Sequence, residues 1–435
     1  MREPADLLIE PRWLLPMSPA GAVLEGHALA VLGGRITALG TVAELRARIE
    51  PREHLQRPQH ALLPGLVNAH TRASLTLLRA AVPYGVTCPT DRQSRLEQVA
   101  GADFVRDGVR LAIAEMLRAG ITCFADISPH PEEAARVASA AQMRAAIGLP
   151  VGDGAAGTPE HATAQLAKAE RLWDEYRADP RLSLFFAPVN PDGLSDATLT
   201  RVRRVADELD ARLALSLAAQ PGHEGTQVRD SAAPPPGGLA GRLASRLAAL
   251  GLLRPGSAAI ATAAPEATDV AVIARHGAAL IVCPQSSLRS GGAHVPLLEG
   301  QRTGLGTDSP AQAGAFDLLG EARTAALLSG CSAAQALCLA TLGGATALGL
   351  QAQIGSLEHG KVADLTCIEV DTLAIHCCAS IEDAILFGAT RTDVSDVWCS
   401  GRAAVQAHRL LAFDAEELAA IPARWAGRLK MGAAA

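Results

Sequence analysis

Leu62-Leu63-Pro64-Gly65-Leu66-Val67-Asn68-Ala69-His70-Thr71-Arg72 is the stretch at which this 435-residue chain changes character. It is an apolar, strand-like run that ends in polar groups. Side chains alternate along a strand with period two, so positions 70 and 72 face the same side. A His-x-His pair at a strand end would set two imidazoles around one divalent metal. Here the second position is Arg72, a permanent cation with no lone pair to donate, which repels a metal instead of binding it.

The texture differs on either side of this stretch. Before it, Asp6-Leu7-Leu8-Ile9-Glu10, residues 24–31 and Arg35-Ile36-Thr37-Ala38-Leu39-Gly40 read as short strands, with Gly33-Gly34 as a hairpin turn. After it, strand-like runs alternate with amphipathic helices. Residues 104–119 have helical periodicity, Gly120 stops them, and 122–127 read as a strand. The theme recurs: strands at 183–188, 212–217, 258–262, 279–283 and 304–308, with helices at 195–209 and 268–275. The β-rich texture returns at 363–370 and 394–404, and 415–429 read as a closing helix. The Pro/Gly-rich run 233–238 reads as a surface loop. This pattern predicts an α/β chain: a (β/α)8 TIM-like barrel over residues 62–352, flanked by a small β-sandwich built from residues 1–61 and 353–435.

Composition narrows the function. Hydrophobic residues make up 49% and charged residues 19%, which suits a large buried core. The net charge is −6 with no basic run, so nucleic acid is not expected as a partner. No apolar run is long enough for a membrane span, and the acidic N-terminus does not read as a signal peptide. Nine scattered cysteines form no disulfide framework, so reduced thiols and a cytoplasmic location are expected. His376-Cys377-Cys378 makes a poor metal cluster, because adjacent side chains do not easily share one ion.

In a barrel of this kind chemistry gathers at the C-terminal strand ends. His70, Asp126, Ser216, Ala261 and Asp308 fall at or near such ends, and His70 and Asp308 are the best candidates for functional polar groups. Each has a plainer alternative. A lone strand-end histidine is commonly a packed residue, and the Gly306-Thr307-Asp308 setting equally suits a turn or a helix N-cap.

The segment 63–71, with Leu305-Gly306-Thr307-Asp308, resembles the amidohydrolase superfamily. More narrowly it resembles the branch of methylthioadenosine/S-adenosylhomocysteine deaminases and triazine hydrolases. Phe104-Val105-Arg106-Asp107-Gly108, Gly343-Gly344-Ala345 and Gly360-Lys361-Val362-Ala363-Asp364-Leu365 support it, so the resemblance spans essentially the whole chain. It implies a barrel with a two-ended sandwich, usually dimeric. The chemistry implied needs one zinc or iron, bound by two first-strand histidines, one histidine from each of two later strands, and an eighth-strand aspartate. A glutamate moves protons, and the metal lowers the pKa of bound water to about 7.

Carried over position by position, the resemblance leaves few of these groups. The first histidine matches His70 and the aspartate matches Asp308. The second histidine becomes Arg72, the third ligand Ser216, the proton shuttle Ala219 and the fourth ligand Ala261. Substrate-side histidines fall on Val189 and Ala264. Neither His223, in a Pro-Gly turn, nor His276, at a helix end, replaces them.

Three readings follow. The first is a metal-free pseudoenzyme that acts as a binding or scaffold subunit, as a homodimer or with an active relative, with a possible small heterocyclic ligand. The second is a metal-free hydrolase using His70 and Asp308. The third is a metal-dependent hydrolase of carbon–nitrogen bonds that deaminates a purine nucleoside or similar heterocycle. The ligand census favours the first. Loss of the metal further predicts that Arg72 turns inward and pairs with Asp308, replacing the ion's charge; the alternative is that it turns outward to solvent at the barrel mouth.

Overall fold

The computed structural model describes residues 2–80, 90–152, 159–217, 239–292, 297, 300–371 and 373–432. Eight parallel strands form the central sheet: β1 Leu66–Thr71, β2 Ile121–Ile127, β3 Arg144–Val151, β4 Leu182–Pro188, β5 Arg212–Ser216, β6 Ser257–Ala261, β7 Ala279–Val282 and β8 Thr303–Leu305. They lie side by side in chain order. A parallel bridge between Thr71 and Asp308 brings the two edges together, so the sheet is a nearly closed barrel.

Alternation sorts each strand into two faces. Val67, Ala69, Cys123, Ala125, Ala146, Ala214, Ile260 and Ile281 pack together inside the barrel. Leu66, Phe124, Ile147, Leu213 and Leu280 point outward and pack beneath the surrounding helices. With both faces covered, the strands are apolar nearly throughout, as a parallel sheet requires.

The chain ends share a second, mixed sheet of nine strands among the described residues. Glu3–Leu14 pairs in parallel with Ile49–Pro64, and Ile49–Pro64 pairs antiparallel with Leu365–Glu369. That pairing joins the N- and C-terminal parts. Residues 33 and 34 turn the predicted hairpin, and both have positive φ (58° and 75°), the geometry that matches strand twist in a two-residue loop.

Some elements differ from the sequence reading. Gly26 (φ 68°) breaks 24–31 into Leu24–Glu25 and His27–Leu32. The run 394–404 is two antiparallel strands, Val394–Cys399 and Arg402–Gln406, because Ser400 and Gly401 turn with positive φ. The sheet's first half extends past residue 61, through Pro64. Strand β3 and the helix Val42–Arg48, capped at both backbone and side chain by Thr41 and Glu44, had no place in that reading. The closing helix Ala415–Gly432 docks through Trp425, which donates to the buried Asp107 at 2.9 Å and meets Phe104 edge-on. The loop 233–238 lies outside the described residues. Among the described residues no helix is long and apolar enough to cross a membrane.

Candidate active site at the barrel mouth

The polar groups predicted from sequence do meet. His70 sits near the end of β1, and Asp308 follows β8; both are buried. His70 Nε2 lies 3.7 Å from Asp308 Oδ1, and the Ser286 hydroxyl donates to Asp308 Oδ2 at 3.0 Å. Backbone bonds fix the approach. The amides of Thr307 and Asp308 both donate to the His70 carbonyl, at 3.0 and 3.1 Å. Asn68, buried one alternation before His70, closes a clasp: its Nδ2 donates to Thr307 Oγ1 at 2.8 Å and its Oδ1 accepts from Thr307 N at 3.1 Å.

Asp308 itself is held in the left-handed region, at φ 53°. A non-glycine residue there is strained by the order of 1–3 kcal/mol and persists when its surroundings over-determine it, which is common at functional sites. Neither plain turn nor N-cap describes it, since Ser309 is the N-cap of the next short helix.

A second carboxyl lies behind the first. Glu321, in the helix Leu318–Ser329, is buried and accepts from the Gln285 amide at 2.9 Å. Burial pushes its carboxyl well above the usual range, and the charges of Asp308 and Asp317 add to this against the Gln285 bond. Burial likewise raises the neighbouring Cys283 thiol, so it is no nucleophile at neutral pH. The short helix Pro284–Arg289 links the two carboxyls through Gln285 and Ser286. Sequence reasoning missed Ser286, Glu321 and Asn68. The available signal was Cys283-Pro284, a strand end followed by proline at the first helical position.

Asp126, also flagged from sequence, serves the backbone: its Oδ1 accepts from Ala73 N at 2.7 Å and Thr71 Oγ1 at 3.1 Å, fixing the turn out of β1. Ser216 and Ala261 are the last residues of β5 and β6, at the mouth where the sequence placed them. Val189, just past β4, and Ala264, beyond β6, are both exposed. Ala219 lies outside the described residues. His276 caps a helix, its Nδ1 bonded to the Val272 carbonyl, and His376 pairs with Asp371 at 2.8 Å.

The expected ion pair between Arg72 and Asp308 is not among Asp308's contacts. β1 ends at Thr71, and a 3-10 helix begins at Ala73. Strand alternation therefore does not reach residue 72, and only the Arg72 amide meets Asp308, donating to its carbonyl at 3.4 Å. The basic side chain beside the carboxylate is His70.

Residues 61–404 match the amidohydrolase family. Over 98% of both chains, this one is 32% identical to a protein of Teredinibacter turnerae named 5-methylthioadenosine/S-adenosylhomocysteine deaminase, and 31% identical to a protein of the same name from Saccharophagus degradans, across 98% of this chain and 97% of that one. The chain belongs to the amidohydrolase family. Its fold superimposes on a zinc-bound adenosine deaminase from Xanthomonas campestris with a TM-score of 0.85 and 31% identity, covering 99% of this chain and 100% of the other. A triazine hydrolase variant shares the fold at a TM-score of 0.79 and 20% identity, covering 97% and 99%.

An amidohydrolase zinc centre requires three or four nitrogen and carboxylate donors around one point. This mouth brings His70 and Asp308 together, while the ends of β5 and β6 carry a hydroxyl and a methyl group. Among the described residues no three His, Cys, Asp or Glu side chains converge on one position. The described donor set does not fit a catalytic zinc.

Proposed function

We propose that this amidohydrolase-family chain binds a small heterocycle at its barrel mouth without the metal-activated water of a deaminase, and works as a binding or scaffold subunit. The observation that supports this is the donor set: His70 and Asp308, 3.7 Å apart, with Ser216 and Ala261 at the neighbouring strand ends. An imidazole beside a carboxylate can orient a ligand's N–H or accept a proton, but supplies no activated nucleophile. A strained Asp308 behind the Asn68–Thr307 clasp supports a mouth kept in shape for a ligand.

A second reading has its own support. Relatives aligned end to end are named deaminases, which favours hydrolysis of a carbon–nitrogen bond on a purine nucleoside or similar heterocycle over a silent subunit. One experiment separates the two. The purified protein is assayed for bound zinc and iron, and for ammonia release from 5-methylthioadenosine, S-adenosylhomocysteine and adenosine, with and without added zinc. The first reading expects less than about 0.1 metal per chain and no release above the blank. Near one metal per chain with ammonia release, both lost in His70→Ala and Asp308→Ala, establishes the second and ends the first. We also propose a cytoplasmic homodimer, or a heteromer with an active relative; a monomer in sedimentation at micromolar concentration, with no relative co-purifying, counts against this.

A further inference from the structure

The inside of the barrel is packed except for one small gap. In barrels of this type layers of bulky branched side chains occupy the interior. Here Ala69, Ala146, Ala214 and Ala258 stand at inward positions, leaving a small, partly open cavity of about 20 Å³ lined from His70 to Leu348. That is room for about one water-sized guest.

The lower end of this cavity, away from the mouth, is polar and positive. Arg212 is the first residue of β5 and Ser216 the last, so Arg212 lies roughly 13 Å below the mouth at about 3.3 Å per residue. Its Nη2 donates to the Ala347 carbonyl at 3.1 Å. The guanidinium is pressed against Gly349, where a Cβ would fall 2.1 Å from Nη1; that glycine also holds φ at 74°. Arg212 makes no ion pair among the described residues, and the residues lining the cavity include no carboxylate. Burial, and the nearby charge of Arg302, hold its pKa below the usual guanidinium value.

Ser183 supplies the second group. It lies on β4, two residues before Phe185, which pairs with Arg212. The Cα atoms of Ser183 and Arg212 are therefore roughly 8 Å apart, from a 4.8 Å strand spacing and two residues of rise, within reach of the arginine side chain. Its hydroxyl is buried, lines the cavity and has no hydrogen-bond partner among the described residues. The Ser183 hydroxyl is costly to leave without a partner, and the half-buried Arg212 beside it has donors to spare for a shared acceptor.

We propose that the lower barrel lumen is an anion site, in which Arg212 and the Ser183 hydroxyl hold one halide-sized monoanion. The plainer alternative is that Arg212 caps the carbonyl end of the helix Gly344–Leu348 and water satisfies Ser183. That role uses one of five N–H donors and predicts no response to halide.

The test titrates sodium chloride against sodium gluconate, an anion too bulky for the cavity, at constant ionic strength and pH, and follows the melting temperature. The wild type should melt higher as chloride replaces gluconate. In Ser183→Ala, loss of one hydrogen bond should raise the chloride needed for the half-maximal shift about 5- to 10-fold. In Arg212→Met the shift should vanish, and crystals soaked in sodium bromide should give an anomalous peak beside Arg212 in the wild type alone. Should Arg212→Met not fold, the Ser183→Ala displacement and the bromide peak decide. Equal melting curves in chloride and gluconate, or a wild-type chloride response in Ser183→Ala, overturn the proposal.

Discussion

Replacing Arg144 should cost the fold more than any surface ion pair does, because the Arg144–Asp364 pair is buried where the barrel meets the terminal sheet. Arg144 opens β3, and Asp364 directly precedes the strand Leu365–Glu369. Their side chains are 6% and 2% exposed, and Arg144 Nε donates to Asp364 Oδ2 at 3.1 Å. Arg144 Nη1 also donates to the Pro180 carbonyl at 3.0 Å, while Asp364 Oδ1 accepts from the Ser400 amide at 2.7 Å. In Arg144→Met the Asp364 carboxylate keeps the Ser400 bond but loses its counter-charge. Burial already raises its pKa against the pull of Arg144. Removing one partner of a buried pair costs about 3–5 kcal/mol, whereas an exposed pair is worth about 0–1. Urea unfolding should show the single variant destabilised by that amount, with an unchanged slope. The double variant Arg144→Met with Asp364→Asn should regain about 1–3 kcal/mol, since no charge is then left buried. A single-variant loss under about 1 kcal/mol, or a double variant as unstable as the sum of the singles, refutes the reasoning.

Glu321 should make stability fall as pH rises. Its folded pKa is raised well above 4.5, so between 4.5 and the folded value the native state holds a proton that the unfolded state has released. Stability is then fullest below that window and declines through it, by up to about 1.4 kcal/mol per pH unit. Glu321→Gln, an isostere of the protonated acid, should flatten the decline measured by urea unfolding from pH 5 to 8; the same slope in both proteins rules the assignment out. Asn68→Ala removes both bonds of the Asn68–Thr307 clasp and should cost about 1–3 kcal/mol. Hydrogen exchange at the Thr307 amide should quicken at the same time, and unaltered protection there means the clasp is not what holds Asp308.

The sequence by itself determined the architecture, because hydrophobic period is a local property that the fold merely obeys. The switch at residue 62 from short punctuated strands to strand–helix alternation, and the switch back near 353, require a barrel between two β-rich ends. The apolar faces of 122–127 and 279–283 have no other place to go. His70 and Asp308 were legible for the same reason: both sit at strand ends, and barrels put strand ends at one mouth. What the tertiary structure decided concerns contacts between distant segments. Arg72 was expected inward by alternation, but β1 ends at Thr71, and where a strand stops is set by the Asp126 bonds to the following turn, 55 residues away for Thr71. Beyond the helix-opening Pro284, Ser286 carries no local signal, and Glu321 carries none: a serine in a short helix and a glutamate in a longer one are ordinary until β7 and β8 bring them behind Asp308. The lumen follows the same rule. Each alanine in β1, β3, β5 and β6 is unremarkable along the chain, and only closure of the barrel sets them opposite one another and opens the space beside Arg212.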